Sequence, residues 1–196
     1  MAEWLRLGGV PCDLPVSEAS PFAVLGIITS PSSAWRHAIR STWLLQPVDE
    51  EELLVRLVMR GFGASDEVRA EAARHGDTVF LRAAQLEFDR GPLVSTILWL
   101  KCAARSRPHA RLVGKAEDDV WLHLPDLMSS LRASSAALQF YPGVDEFMWG
   151  MVETNLWNRT AQHPHGWAKP YEWPCKHGEH LTGPYPYPKV RGASHL

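Results

Sequence analysis

Cysteine is scarce in this chain. Cys12, Cys102 and Cys175 are the only three in 196 residues, so at most one intramolecular disulfide can form and cysteine usage does not fix the redox compartment. Charge of one sign is missing as well. Twenty Lys and Arg stand against twenty-two Asp and Glu, a formal charge of -2, which removes the global basic field that draws nucleic acid. Any anion the protein binds must be held by local groups. No stretch approaches the run of about 18 apolar residues that spans a bilayer, and Met1-Ala2-Glu3-Trp4 is not a basic segment leading into a signal-type apolar core. The expectation is a chain with no targeting or membrane segment of its own. It has no internal repeat and no low-complexity block. What it does have is 45% hydrophobic content over a length that suits one domain with a full core.

Residues 1–21 contain Gly8-Gly9, Pro11 and Pro15 and show no sustained period, so they read as a lead-in rather than core. The fold is expected to begin at Phe22 and to continue as a single domain over residues 22–196. Residues 22–29 form a nearly continuous apolar run that stops at Ser30-Pro31-Ser32-Ser33, the pattern of a strand buried on both faces, then a turn and a helix start. In the helix that follows, Arg36 and Arg40 fall on one face, while Trp35, Ile39 and Trp43 share another. Residues 53–59 read as a second strand closing on Gly61-Phe62-Gly63. Ser65 then caps a helix with Asp66 and Glu67 in its first turn, Arg74 and His75 in its last, and Gly76 as its stop.

A third strand is expected over residues 78–81. A longer helix over 93–104 carries an apolar face of Leu93, Ile97, Leu100 and Ala104, and a short strand covers 111–114. Strands alternating with helices predict an α/β fold, a mostly parallel Rossmann-type sheet with helices on both faces. Such sheets bind ligands beyond the carboxyl ends of their strands. After residue 140 the prolines, histidines and aromatics read as a loop-rich section. It contains one sequon, Asn158-Arg159-Thr160, a glycan acceptor for a chain entering the secretory pathway.

Glu117, Asp118 and Asp119 follow the short strand directly. Hard cations such as Mn2+ or Mg2+ take oxygen ligands and are commonly held by one or two carboxylates, with water and substrate phosphate filling the remaining positions. A short acidic run at a strand end supplies that donor set, and Lys115 with the Arg36/Arg40 pair adds cations for a diphosphate. The competing reading is an exposed acidic turn.

Several segments in order resemble one family. Ile27-Ile28-Thr29-Ser30-Pro31 followed by Trp35-Arg36-His37-Ala38-Ile39-Arg40-Ser41-Thr42-Trp43 is similar to the opening of the beta-1,3-galactosyltransferase and N-acetylglucosaminyltransferase family, glycosyltransferase family 31. Val113-Gly114-Lys115-Ala116-Glu117-Asp118-Asp119-Val120 resembles its Lys-x-Asp-Asp-Asp-Val metal motif, with Glu for the first Asp. Gly183-Pro184-Tyr185-Pro186-Tyr187-Pro188-Lys189 resembles the segment that enters the acceptor side of the site.

The resemblance implies a GT-A fold that uses Mn2+ and a UDP-sugar. It implies inverting hexose transfer to a hydroxyl of a glycan or glycoprotein, in the Golgi lumen, with a membrane anchor outside this chain. Carried over by position, Asp119 is the leading metal ligand, with Asp118 and Glu117 lining the same site. Thr29, Ser30, Arg36, Arg40, Lys115, Glu117 and Asp118 are donor candidates, and Tyr185 and Tyr187 are acceptor-side candidates.

The family's Asn-Leu-Thr-Leu-Lys-Thr segment appears here as Gly91-Pro92-Leu93-Val94-Ser95-Thr96, with Ser95 at the lysine. The final Val190-Arg191-Gly192-Ala193-Ser194-His195-Leu196 does not resemble the family's continuation to its Glu-Asp-Val stretch, which carries the catalytic base. The expectation is therefore a truncated or differently spliced product, and no base is named. Two alternatives stand beside transfer. One is a domain that binds a nucleotide-sugar or a partner without catalysis, and the other is a phosphate-metal hydrolase drawing on His123.

Overall fold

A strand built of Ala23, Val24, Leu25, Gly26, Ile27 and Ile28 offers water nothing on either face and belongs in the middle of a sheet. In a computed structural model of the chain it lies there. The structure describes residues 12–61, 64–82, 91–144, 147, 149–157 and 185–191. Strand β1 (Ala23–Ile28) pairs in parallel with β2 (Leu53–Arg60), and β3 (Thr78–Leu81) extends the sheet in parallel beyond β2. Strand β4 (Leu112–Glu117) lies on the other side of β1, also parallel, so the order is β3-β2-β1-β4. Between the strands run α1 (Ser33–Ser41), α2 (Asp66–His75) and α3 (Gly91–Ser106), and α4 (Leu124–Ala137) follows β4. This is the expected α/β, parallel, Rossmann-like sheet.

Helix α2 forms where its end signals place it. The Ser65 hydroxyl accepts from the Val68 amide at 3.4 Å, and Gly76 closes the helix at φ 66°, a left-handed conformation that side chains disfavour.

Helix α3 is rotated relative to its expected apolar face. Leu100 and Ala104 are exposed, while Val94, Leu98, Trp99, Cys102 and Ala103 are buried with Val24, Leu54, Val58 and Val79 of the sheet. Two contacts fix this rotation. The Trp99 ring lies against Gly26 so closely that a Cβ built on Gly26 would stand 2.2 Å from the indole, and its Nε1 donates to the Gly114 carbonyl at 2.8 Å. Cys102 is disulfide-bonded to Cys12 with their Cα atoms 5.9 Å apart. A bond closing 90 residues stabilises the fold by about 4–5 kcal/mol in the chain-entropy account.

That disulfide also corrects the boundary of the core. Cys12 and Leu14, expected in a lead-in, are 2% and 6% exposed. Cys12 bridges to Leu81, Asp13 exchanges hydrogen bonds with Phe80, and the Ser106 hydroxyl donates to the Leu14 carbonyl. A segment fastened by one covalent bond and isolated main-chain contacts has no periodicity to reveal it.

Strand β4 is likewise longer than the expected 111–114. It continues through Lys115 and Ala116 to Glu117, in register with Gly26, Ile27 and Ile28 of β1. Ala116 is buried while Lys115 is exposed, as adjacent residues on opposite faces of a strand are.

The chain divides into two compact units, Met1–Ala133 and Ser134–Leu196. The second holds β5 (Met151–Trp157) paired antiparallel with β6 (Tyr185–Arg191). The section after 140, expected to be loop-rich, thus also carries a strand pair. Pro186 and Pro188 are tolerated in β6 because they are two apart and fall at alternate positions, whose missing N–H groups need not face the partner strand.

Gly26→Ala is expected to lower stability by about 1–3 kcal/mol through overpacking against Trp99, read from urea-unfolding midpoints. Gly114→Ala, whose added carbon would meet among the described residues only the Leu25 Cδ1 at 3.4 Å, should cost clearly less.

Candidate functional site

The strand order places a topological switch at one position. From β1 the chain moves outward to β2 and β3, then returns to lay β4 on the opposite side of β1. The loops after β1 and β4 therefore leave the sheet at its topological switch, the position where sheets of this kind have their ligand crevice. Thr29 and Ser30 leave β1 at that point, and Asp118 and Asp119 leave β4.

Asp118 joins the two ends. Its Oδ2 accepts from the Thr29 hydroxyl at 2.8 Å and from the Ser30 backbone amide at 3.2 Å. Thr29 is only 8% exposed, and its own amide donates to the Val58 carbonyl at 2.9 Å, so its backbone is held by the sheet ladder. Two donors converging on one carboxylate oxygen orient the whole group.

The rest of the triplet behaves differently. Glu117 is ion-paired with Lys115, two residues back on the same face of β4. Asp119 has no hydrogen-bond or ion-pair partner among the described residues. The three carboxylates do not form one nest, and among the described residues no group of three or more His, Cys, Asp and Glu could hold an ion. The available set is Asp119 plus the second oxygen of Asp118. This fits a hard cation that takes most of its ligands from water and phosphate.

Arg36 and Arg40 do share a helix face, but their guanidiniums are directed into the protein. Arg36 is 1% exposed. Its Nε and NH2 donate to the two oxygens of Glu71 at 2.8 and 2.6 Å, and its NH1 donates to the carbonyls of Ser30 and Ser32 at 2.6 and 2.9 Å. Arg40 donates to both oxygens of Asp77 at 2.7 Å and to Glu71 at 2.5 Å. The network staples α1 to α2 and to the start of β3. A buried guanidinium left without its carboxylate would cost about 3–5 kcal/mol.

A family model described as Galactosyltransferase matches residues 34–187. The chain belongs to the galactosyltransferase family. No curated protein matches it. The matched span runs from α1 through the triplet to Tyr187, and the chain is a glycosyltransferase. Thr29 and Ser30 lie just ahead of the match, tied to it through Asp118 and Arg36.

Gln46 is a support of the loop after the triplet that its sequence does not announce. Its side-chain amide donates to the Leu122 carbonyl at 2.7 Å and accepts from the Leu124 amide at 2.9 Å, holding the segment that follows Asp119. Glu71 and Asp77 are two more unannounced supports. The one available signal is that Arg36 and Arg40 on a packed helix face require counter-charges, and nothing local says which acids answer. On the expected acceptor side, Tyr185 and Tyr187 lie in β6 at the register positions of Trp157 and Asn155. Asn158 lies outside the described residues.

The network is electrostatically committed. The Arg36 hydrogen bond, working against burial and helped by Arg40 and by both charges, holds Glu71 down to about 2 from its ordinary 4.5. Burial pushes Asp77 up, but the hydrogen bond and charge of Arg40 outweigh it and leave the carboxyl below its ordinary range. The bond to Asp77 in turn raises Arg40.

Because the Glu71 carboxyl is more acidic in the folded chain than in the unfolded one, its contribution is complete above the unfolded value and lost as pH falls toward about 2. In urea titrations the stability gap between the protein and Glu71→Gln should be wide at neutral pH, narrow through the interval from 4.5 to about 2, and vanish below it. A gap independent of pH would contradict the assignment.

Proposed function

We propose that the chain transfers a hexose, in the first instance galactose, from a UDP-sugar to a hydroxyl of a glycan or glycoprotein, with inversion and with a divalent metal, Mn2+ or Mg2+. The observation that carries this reading is the joined pair of strand ends at the sheet's switch point, where Asp118 is oriented by Thr29 and Ser30 and Asp119 stands open beside it.

In such a transfer the bond between sugar and diphosphate breaks with its electrons passing to the diphosphate oxygen. The site must therefore gather positive charge there. Asp119 and Asp118 would hold the cation, which when bound supplies that charge as a Lewis acid. The Ser30 amide and Thr29 hydroxyl keep Asp118 facing the crevice. Lys115, on the strand that delivers the triplet, is balanced by Glu117 and is a candidate cation for the diphosphate. Arg36 and Arg40 serve the donor end by holding its loop and helix, and Tyr185 and Tyr187 are assigned to the acceptor side.

The Cys12–Cys102 disulfide supports an oxidising compartment, in keeping with the Golgi lumen as the place of action. Among the described residues no helix is long and apolar enough to cross a membrane.

Calorimetric titration with UDP is expected to show binding that requires Mn2+ and that Asp119→Ala weakens by about tenfold or more, with the unfolding midpoint of the variant unchanged. UDP binding that is indifferent to Mn2+ and to Asp119 would overturn the reading.

A further inference from the structure

Helix α2 reaches the crevice through an unbroken chain of contacts. The Glu71 carboxylate grips Arg36 with both oxygens, at 2.8 and 2.6 Å. Arg36, 1% exposed, has no other ion-pair partner among the described residues. Its remaining N–H groups are spent on main-chain carbonyls of one short loop: Ser30 at 2.6 Å, Ser32 at 2.9 Å and Pro31 at 3.4 Å. That loop delivers the Ser30 amide to Asp118 at 3.2 Å.

We infer that Glu71 is a positioning residue for the donor site: by fixing the Arg36 fork it sets the 30–32 loop, and through the Ser30 amide it sets the Asp118 carboxylate. The inference rests on the donor-binding reading given above, and it adds to that site a residue from a helix that makes no hydrogen bond or ion pair to the triplet among the described residues.

Three features favour this over a plain surface staple. A guanidinium has five donors in a rigid fork, and two of them locked onto one carboxylate fix the plane in which the others point. Three successive carbonyls converging on one fork hold a loop more tightly than any single bond. The network also has a second arm, Arg40 with Asp77, that touches neither the loop nor Asp118. Asp77→Asn, at the start of β3, thus removes a charge partner of α1 without touching the loop, while both charge pairs between α1 and α2 run through Glu71.

The two arms supply the test. Glu71→Gln and Asp77→Asn are compared in the full chain by three readouts: thermal unfolding midpoint, hydrogen exchange of the Ser30 amide relative to the β1 amide of Ile27, and UDP affinity in saturating Mn2+. Both substitutions are expected to lower the midpoint. Only Glu71→Gln should speed Ser30 exchange relative to Ile27, and only it should weaken UDP binding, by about ten- to a hundredfold as for other supporting residues of metal sites.

The inference is overturned if Glu71→Gln leaves Ser30 exchange unchanged, or if Asp77→Asn alters Ser30 and UDP equally, since the cluster then acts only on stability. Should Glu71→Gln not fold, Glu71→Asp, which keeps the charge but withdraws it by one methylene, is judged by the same criteria. If the unsubstituted protein binds no UDP at all, the donor reading fails, while the Ser30 comparison still decides whether Glu71 positions the loop.

Discussion

Asp118 accepts two hydrogen bonds from the residues that end β1, and the site depends on that link. Parallel strands β1 and β4 are hydrogen-bonded along their length, but nothing in a sheet ladder specifies where the chain goes once the strands stop. The Thr29 hydroxyl and Ser30 amide supply the specification. They turn two independent loop starts into one rim of a crevice, and they leave Asp119 as the carboxylate with no partner among the described residues. The sheet order makes this the switch point, so the place where a ligand can enter is also the place where two loops are bonded together.

Rigidity at that rim is built from behind. The Arg36 fork is almost wholly buried, a situation tolerable only because Glu71 and the carbonyls of residues 30–32 satisfy it. On the far side of the triplet Gln46 does with a neutral amide what Arg36 does with a charged one, binding a donor and an acceptor of the main chain around Leu122 and Leu124. Beneath both, Trp99 presses on Gly26 and reaches the Gly114 carbonyl, fixing β1 and β4 against the same helix. The carboxylates at the rim thus stand on elements that have little freedom to move, as electrostatic preorganisation requires.

Much of this framework is legible in the chain because it rests on local signals. The unbroken apolar run of β1, the Ser65 cap and the Gly76 stop of α2, and the alternation of strands with helices all lie within short windows. The elements that differ are those whose determinants are distant. Helix α3 carries two apolar stripes, and the choice between them is made by Cys12, far away in sequence, and by the absence of a side chain at Gly26. The extent of β4 is hidden by Lys115 and Glu117, which look like loop residues but pair with each other across one strand face.

At the site, the triplet and Thr29-Ser30 are visible from their resemblance to a family motif, and the family match extends over 34–187. What no local pattern reveals is how the parts are employed. Two arginines on one helix face look the same in sequence whether they meet phosphate or Glu71 and Asp77, and only the packing of α1 against α2 separates these outcomes.

The central claim is that the ends of β1 and β4 form one cation-dependent donor site. Paramagnetic broadening of backbone amides on addition of Mn2+ with UDP locates the cation directly. The account predicts the strongest broadening at Thr29, Ser30, Asp118 and Asp119 together, fading along both strands away from their carboxyl ends. Broadening centred elsewhere, or on the β4 end without the β1 end, would contradict it.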